Sequence, residues 1–162
     1  MTKDIHICNS DEKNAFQDYY PDDYSHCFGC GRLNEQGLQI KSFWDGDESV
    51  CRFLPKNHFT GGRKDILYGG LIASLMDCHG AGTAAAAKLR EQGIEIEKGE
   101  MPKFVTASMK VDYLAPTPVD TEIELRGKVK EIKGRKVIVD VSLAAGQKIC
   151  AKGELIFVQL RE

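Results

Sequence analysis

The chain has 162 residues, with 22 basic and 24 acidic side chains and a formal net charge of −2. Its apolar share of 42% and charged share of 28% are ordinary for a globular domain. So even a balance excludes the broad basic footprint that nucleic acid or an anionic membrane surface requires. This length fits one compact domain, with residues 1–37 supplying a short helix and a cysteine-containing loop to the same unit as residues 38–162. Met1 to Asn14 alternate charged and apolar types and do not read as a signal peptide. The six cysteines therefore predict reduced thiols in a cytoplasmic protein rather than a disulfide framework.

In chain order, Asp11 to Tyr20 predicts a short polar helix ended by Pro21, followed by a loop from Asp22 to Gly37. Leu38 to Phe53 predicts a hairpin turning at Asp45-Gly46-Asp47. After the glycine-rich loop Thr60 to Lys64, Asp65 is the expected N-cap of a helix from Ile66 to about Gln92. That segment is apolar on every side until Lys88, a pattern of core helices rather than surface ones. Its Asp77, its glycines and its many alanines exclude a membrane span, because alanine and glycine supply little transfer energy into lipid. Gly93 supplies the stop.

Beyond the charged loop Glu95 to Lys103 the chain is strand-like to its end. Val105, Ala107, Met109, Val111 and Tyr113 alternate with more polar neighbours, a period-two signal. Pro116-Thr117-Pro118 breaks the pattern, and three further strands follow, separated by turns at Lys133-Gly134-Arg135 and Gly146. A strand pair, one buried helix and four consecutive strands predict an α+β fold, an antiparallel sheet curled around a single helix.

Two clusters carry possible chemistry. Asp77 is the one residue charged at neutral pH between Asp65 and Lys88, and a buried carboxylate demands a partner, water or a ligand cleft. Its neighbours Cys78 and His79 point in different directions on a helix, so neither forms a Cys–His nucleophile pair. His26-Cys27-Phe28-Gly29-Cys30 is half of a zinc knuckle, with His6 and Cys8 as the remaining candidates in sequence. Structural zinc needs four ligands and no second Cys-x-x-Cys exists, so the expectation is a tight loop with two packed thiols and no metal.

Three motifs resemble the PaaI-type hotdog thioesterases. Leu67-Tyr68-Gly69-Gly70 with Asp77 seven residues after the second glycine is similar to that family's helix start and its acid. Val105 to Pro116 looks like its strand ending in Tyr-Leu-x-Pro. Cys27-Phe28-Gly29-Cys30-Gly31, Asn34 and Gly37-Leu38 resemble an N-terminal element of one branch. The sequence departs from the pattern at Tyr68, where the family has histidine, and at Gly62, where it often has asparagine.

The resemblance implies hydrolysis of an acyl-CoA to acid and CoA, with no metal and no redox cofactor. Asp77 would be general base or nucleophile, the Gly69 amide an oxyanion donor, and Thr106 an orienting hydroxyl. Tyr68 would stand in for the histidine or sit as a half-buried core tyrosine. Gly70 and His58 would line the substrate cleft. The residues themselves add a basic cluster on neighbouring strand ends, Lys128, Lys130, Lys133, Arg135 and Lys136, of which Arg135 and Lys136 are the expected contacts to CoA phosphates. A homodimer or homotetramer is implied, with Asp77 of one chain meeting Thr106 of another. The alternative on the same fold is a non-catalytic acyl-CoA binder.

Overall fold

One helix sets the architecture. In the computed structural model, which describes residues 14–97 and 99–161, helix α1 runs Gly69–Glu91. No residue from Gly69 to Leu89 is exposed, and the first exposed position is Arg90. A helix apolar on all sides has no face to offer water, so it must be enclosed. It packs against four strands, β3 (Phe104–Tyr113), β4 (Ile123–Lys133), β5 (Lys136–Ala145) and β6 (Lys148–Gln159). Gly93, at φ +70°, ends it in the left-handed conformation expected of a helix stop.

The start of the helix differs from expectation. Asp65 does not cap it; its carboxylate forms a two-pronged contact with Arg63 at 2.7 and 3.1 Å. Residues 66–68 instead run extended, with Ile66 bridged to Pro118 and Leu67 to Thr60, and Tyr68 is the N-cap. The broken strand end at Pro116 to Pro118 has thus captured the segment before the helix, through the amide of Leu67 on the Thr117 carbonyl.

The sheet has six antiparallel strands in the order β1-β2-β4-β5-β6-β3, where β1 is Phe43–Asp45 and β2 is Glu48–Phe53. The hairpin turn falls at Gly46 as expected, although β1 is only three residues long. On leaving the helix the chain crosses to the far edge as β3, and the next three strands fill the middle. Leu125, Val139, Leu143, Leu155 and Phe157 are all fully buried and form the inner layer over α1.

β3 is not the regular alternating strand that its sequence predicts. Thr106 faces Phe157 and Ser108 faces Ile156, so Ala107 is an extra residue, a β-bulge. Beyond it Met109 faces Leu155, another inner-layer residue. The bulge therefore places even-numbered Thr106 and odd-numbered Met109 on the same, helix-facing side. Val105 and Met109, one face in the period-two reading, end on opposite faces.

The N-terminal segment lies across α1. It holds single 3₁₀ turns at Phe16–Tyr19 and Asp22–Tyr24 in place of the predicted helix, whose first three residues lie outside the described ones. Buried Gln17 donates to Ser42 Oγ at 3.1 Å and accepts from the Ser42 amide at 2.8 Å. Phe16 packs on Trp44 with ring centroids 5.1 Å apart, and the Tyr24 hydroxyl donates to the Phe104 carbonyl at 2.7 Å. Among the described residues no helix is long and apolar enough to cross a membrane.

Candidate active site

Asp77 lies in the middle of α1 and is partly buried. The Thr106 hydroxyl donates to its Oδ1 at 2.5 Å. The bulge makes this contact possible, since without the extra Ala107 the Thr106 side chain turns to the outer face of the sheet. Both residues belong to one chain, which corrects the expectation that the pair forms across a subunit boundary. Burial pushes the Asp77 carboxyl above its ordinary value, the Thr106 hydrogen bond pulls the other way, and the nearby Cys27 sulfur adds to the rise.

Asp77 and Thr106 open onto a cavity of about 380 Å³. Its opposite wall is the N-terminal segment, with Tyr24, Cys27 and Cys30, while Cys78 of α1 adjoins Asp77. Among the described residues no lysine or arginine lines it. The loop carrying Cys27 and Cys30 reaches the helix because residue 29 is glycine. A Cβ there meets the Cys78 sulfur at 2.2 Å, a distance no real side chain tolerates. The Cys27 and Cys78 sulfurs are 3.6 Å apart, and all three sulfurs lie within 4.8 Å of one another. Donation from the other two thiols and from the Gly29 and Cys30 amides holds the Cys27 thiol far below its usual value, while Cys30 is pushed up to about 12.

Sequence reasoning did not bring Cys78 to this cluster. Adjacency to Asp77 says nothing about a loop some fifty residues earlier. The signal available was Gly29 itself, a residue without a side chain between two cysteines. The other candidates, His6 and Cys8, lie outside the described residues.

The remaining predicted residues fall in two places. Tyr68, Gly70 and His58 line a second cavity of about 400 Å³ at the start of α1. Tyr68 is 58% exposed, so it is neither core nor half-buried; its ring lies across Gly70, where a Cβ meets ring carbons at 2.5 Å. His58 is exposed and packs edge-on against Phe59. Gly69 is the first residue of α1, where amides lack intrahelical acceptors, and its carbonyl accepts from the Tyr113 hydroxyl at 2.7 Å. Eight residues of helix separate Gly69 from Asp77, a rise of about 12 Å, so one substrate carbonyl cannot touch both in a single chain.

Arg135 and Lys136 stand at the β4–β5 turn. The register sets Lys136 opposite Val158 and Val158 opposite Val105, two strand spacings or about 10 Å from the cavity edge. Arg135 donates to the Gln159 carbonyl, Lys136 pairs with Glu131 and Lys130 with Glu154. Much of the expected basic cluster is therefore engaged within the sheet surface.

His79 behaves as expected of a core histidine. It is fully buried, with Nδ1 2.9 Å from Ser42 Oγ and Nε2 3.0 Å from Ser49 Oγ. Burial lowers its imidazole to about 4, so the ring is neutral at ordinary pH. Thr83 closes the network, 2.5 Å from Ser49 Oγ and donating to the His79 carbonyl at 2.7 Å.

Known proteins share this fold. A thioesterase superfamily protein from Shewanella loihica PV-4 is 42% identical, with a TM-score of 0.66, and the match covers 86% of this chain and 98% of that one. The PaaI protein of the E. coli phenylacetic acid degradation operon has the same fold at 17% identity, with a TM-score of 0.62 over 76% of this chain and 81% of that one. The MIOREX complex component 3 of Saccharomyces cerevisiae is 29% identical over 116 residues, 70% of this chain, and the chain spans only 37% of that relative's length. The sequence model of the Thioesterase superfamily matches residues 64–151, more than half the chain and all of α1 and β3. With one central helix inside a six-stranded antiparallel sheet, the chain has the hotdog fold and belongs to the Thioesterase superfamily.

Proposed function

We propose that the protein is an acyl-CoA thioesterase in which Asp77 activates water for attack on the thioester carbonyl. The observation that carries this reading is the Asp77 carboxylate, set in a cavity with one oxygen fixed by Thr106 at 2.5 Å. A general base needs a fixed orientation and a free lone pair, and Oδ2 supplies the second. As water attacks the carbonyl carbon, its proton passes to Asp77 and negative charge grows on the carbonyl oxygen. Collapse of the tetrahedral intermediate expels CoA as thiolate, which takes a proton to leave as free thiol. The same carboxylate acting as nucleophile forms an acyl-enzyme anhydride that water then opens.

The oxyanion that forms also needs donors beside Asp77. The helix-start amide of Gly69 has the right character but lies about 12 Å away along the helix. A second copy supplies it, and β3 is where a second copy docks. This ten-residue strand is the open edge of the sheet, and Val105, Met109, Tyr113 and Leu114 on it and just beyond it are 40–56% exposed. We therefore read the working unit as a homo-oligomer, with Tyr68, Gly70 and His58 of one copy meeting substrate held at Asp77 of the other. The N-terminal segment belongs to the same functional unit, since it walls the cavity.

The test is CoA thiol release across short-chain, long-chain and aryl acyl-CoAs, comparing the wild type with Asp77→Ala. Release by the wild type and its loss in a folded variant that still binds acyl-CoA supports the reading. Saturable binding with no release on any member selects the non-catalytic binder, which the exposed Tyr68 at the family's histidine position favours. Single-turnover hydrolysis in ¹⁸O-water separates base from nucleophile, because only the anhydride route carries label into the Asp77 carboxylate.

A further inference from the structure

We infer that Cys27, Cys30 and Cys78 form a binding site for one thiophilic divalent cation, Zn²⁺ by preference, with the fourth position filled by solvent from the cavity. Sulfurs about 2.3 Å from a tetrahedral zinc lie about 3.8 Å apart. Here Cys27 and Cys78 are 3.6 Å apart and no pair among the three exceeds 4.8 Å.

Three further features distinguish this from a chance meeting of buried thiols. The loop is held tightly around its sulfurs, with the Gly31 amide on the Cys27 carbonyl at 2.8 Å, the Leu38 amide on the Phe28 carbonyl at 2.7 Å and the Ile40 amide on the Gly29 carbonyl at 3.1 Å. Gly29 is required for the approach, since any side chain there displaces the Cys78 thiol. Convergence is the third: sulfurs from a loop and a helix meet at one point on the cavity wall, and among the described residues no lysine or arginine lines that cavity. On binding, a divalent cation takes the place of three thiol protons as three sulfur–metal bonds form. Three protein ligands with one open position is a recurrent zinc arrangement. Two ligands come from the loop and one from α1, so the bound ion fastens the cavity wall to the helix beside Asp77. This inference stands apart from thioester hydrolysis and survives or fails without it.

The test is titration of reduced, chelator-stripped protein with Co²⁺ under anaerobic conditions. We expect a sulfur-to-cobalt charge-transfer band with tetrahedral ligand-field bands, saturating at about one Co²⁺ per chain and displaced by Zn²⁺. Outer-shell changes around bound metals cost about 10–100-fold in affinity, so losing a direct ligand in Cys27→Ser or Cys30→Ser lowers it by at least ~100-fold. Cys150→Ser, whose thiol lies in β6 away from the cluster, leaves the titration unchanged. Zn²⁺ should also raise the Tm of the wild type and not that of Cys30→Ser. Absence of the charge-transfer band in the wild type overturns the inference, as does its persistence in both serine variants. If the serine variants do not fold, band intensity per Co²⁺ in the wild type decides, because it counts thiolates: three supports the site and fewer overturns it.

Discussion

Asp77 and His79 are two residues apart on one helix and sit in opposite chemical surroundings. His79 is enclosed, and both ring nitrogens have hydroxyl partners within 3.0 Å in a closed network with Ser42, Ser49 and Thr83. Asp77 has one hydroxyl on one oxygen and a cavity on the other side. A buried polar group with every partner supplied is scaffold, because its hydrogen bonds are complete before any ligand arrives. A partly buried one with an open lone pair has unspent capacity, and that is where a water or substrate is recruited. The helix turns about 100° per residue, so two positions suffice to pass from one condition to the other.

The comparison breaks most decisively at Asp77. Its replacement by alanine should lower kcat/KM for acyl-CoA hydrolysis by about 10²–10⁴-fold while leaving Tm unchanged or raised, since a partly desolvated carboxylate is removed. The opposite pattern, a fall in Tm with activity retained, makes Asp77 scaffold. At His79 the signs reverse. Alanine there takes one hydrogen-bond partner from each of Ser42 and Ser49, which keep Gln17 and Thr83, and opens a hole in the core, at a cost of about 3 kcal/mol by urea denaturation. Activity per folded molecule should stay within about twofold of wild type, because His79 faces away from the cavity. A His79 variant that folds normally and loses activity collapses the distinction between the two residues.

Thr106 sharpens the same contrast, because it serves Asp77 without being part of the core. Thr106→Val keeps shape and β-branching and removes the hydroxyl. A hydrogen bond to a charged group contributes about 1.5–3 kcal/mol, so kcat/KM should fall by about 10–100-fold. The loss should appear mainly in kcat, since the carboxylate remains and only its orientation is lost. A Tm change of more than a few degrees assigns Thr106 to sheet stability instead.

Thr106 also marks where sequence stopped being informative. The resemblance of its strand to the family's singled it out as an orienting hydroxyl, and the all-round apolarity of Ile66 to Ala87 correctly required an enclosed helix. The bulge that turns Thr106 toward that helix left no local trace. Val105, Ala107, Met109, Val111 and Tyr113 alternate without interruption, and only pairing with β6 reveals that Ala107 is surplus. A register shift belongs to two strands at once, and one strand's periodicity cannot report it. The helix cap failed for a similar reason: Asp65 has the right chemistry, but a bridge between Ile66 and distant Pro118 holds the chain extended past it. The Cys78 cluster needed the same long-range information. Local chemistry was legible, and contacts made across the fold were not.

The smallest effect tests the third kind of polar site, one already in water. On the outer face Arg126 contacts Asp45 at 2.8 Å, Glu48 at 3.3 Å and Glu124 at 2.7 Å. Burial alone raises the Glu124 carboxyl, but hydrogen bonds from Arg126 and Arg52 outweigh it and hold the group below its ordinary range. A carboxyl held low in the folded state contributes stability that is present above its unfolded pKa of about 4.3 and lost as pH falls through the folded value. Arg126→Ala should therefore cost about 1 kcal/mol or less at neutral pH, since exposed ion pairs are screened by solvent. The variant and the wild type should converge in stability as pH drops below that range, and hydrolysis should not change. Convergence at low pH shows that the lost energy was ionic; a constant gap means that Arg126 acts through packing of its aliphatic stem over β2 and β4. Either way the charge-rich outer face contributes several ion pairs and little energy, whereas inside the sheet His79 has a partner on each ring nitrogen and Asp77 keeps one oxygen open to the cavity.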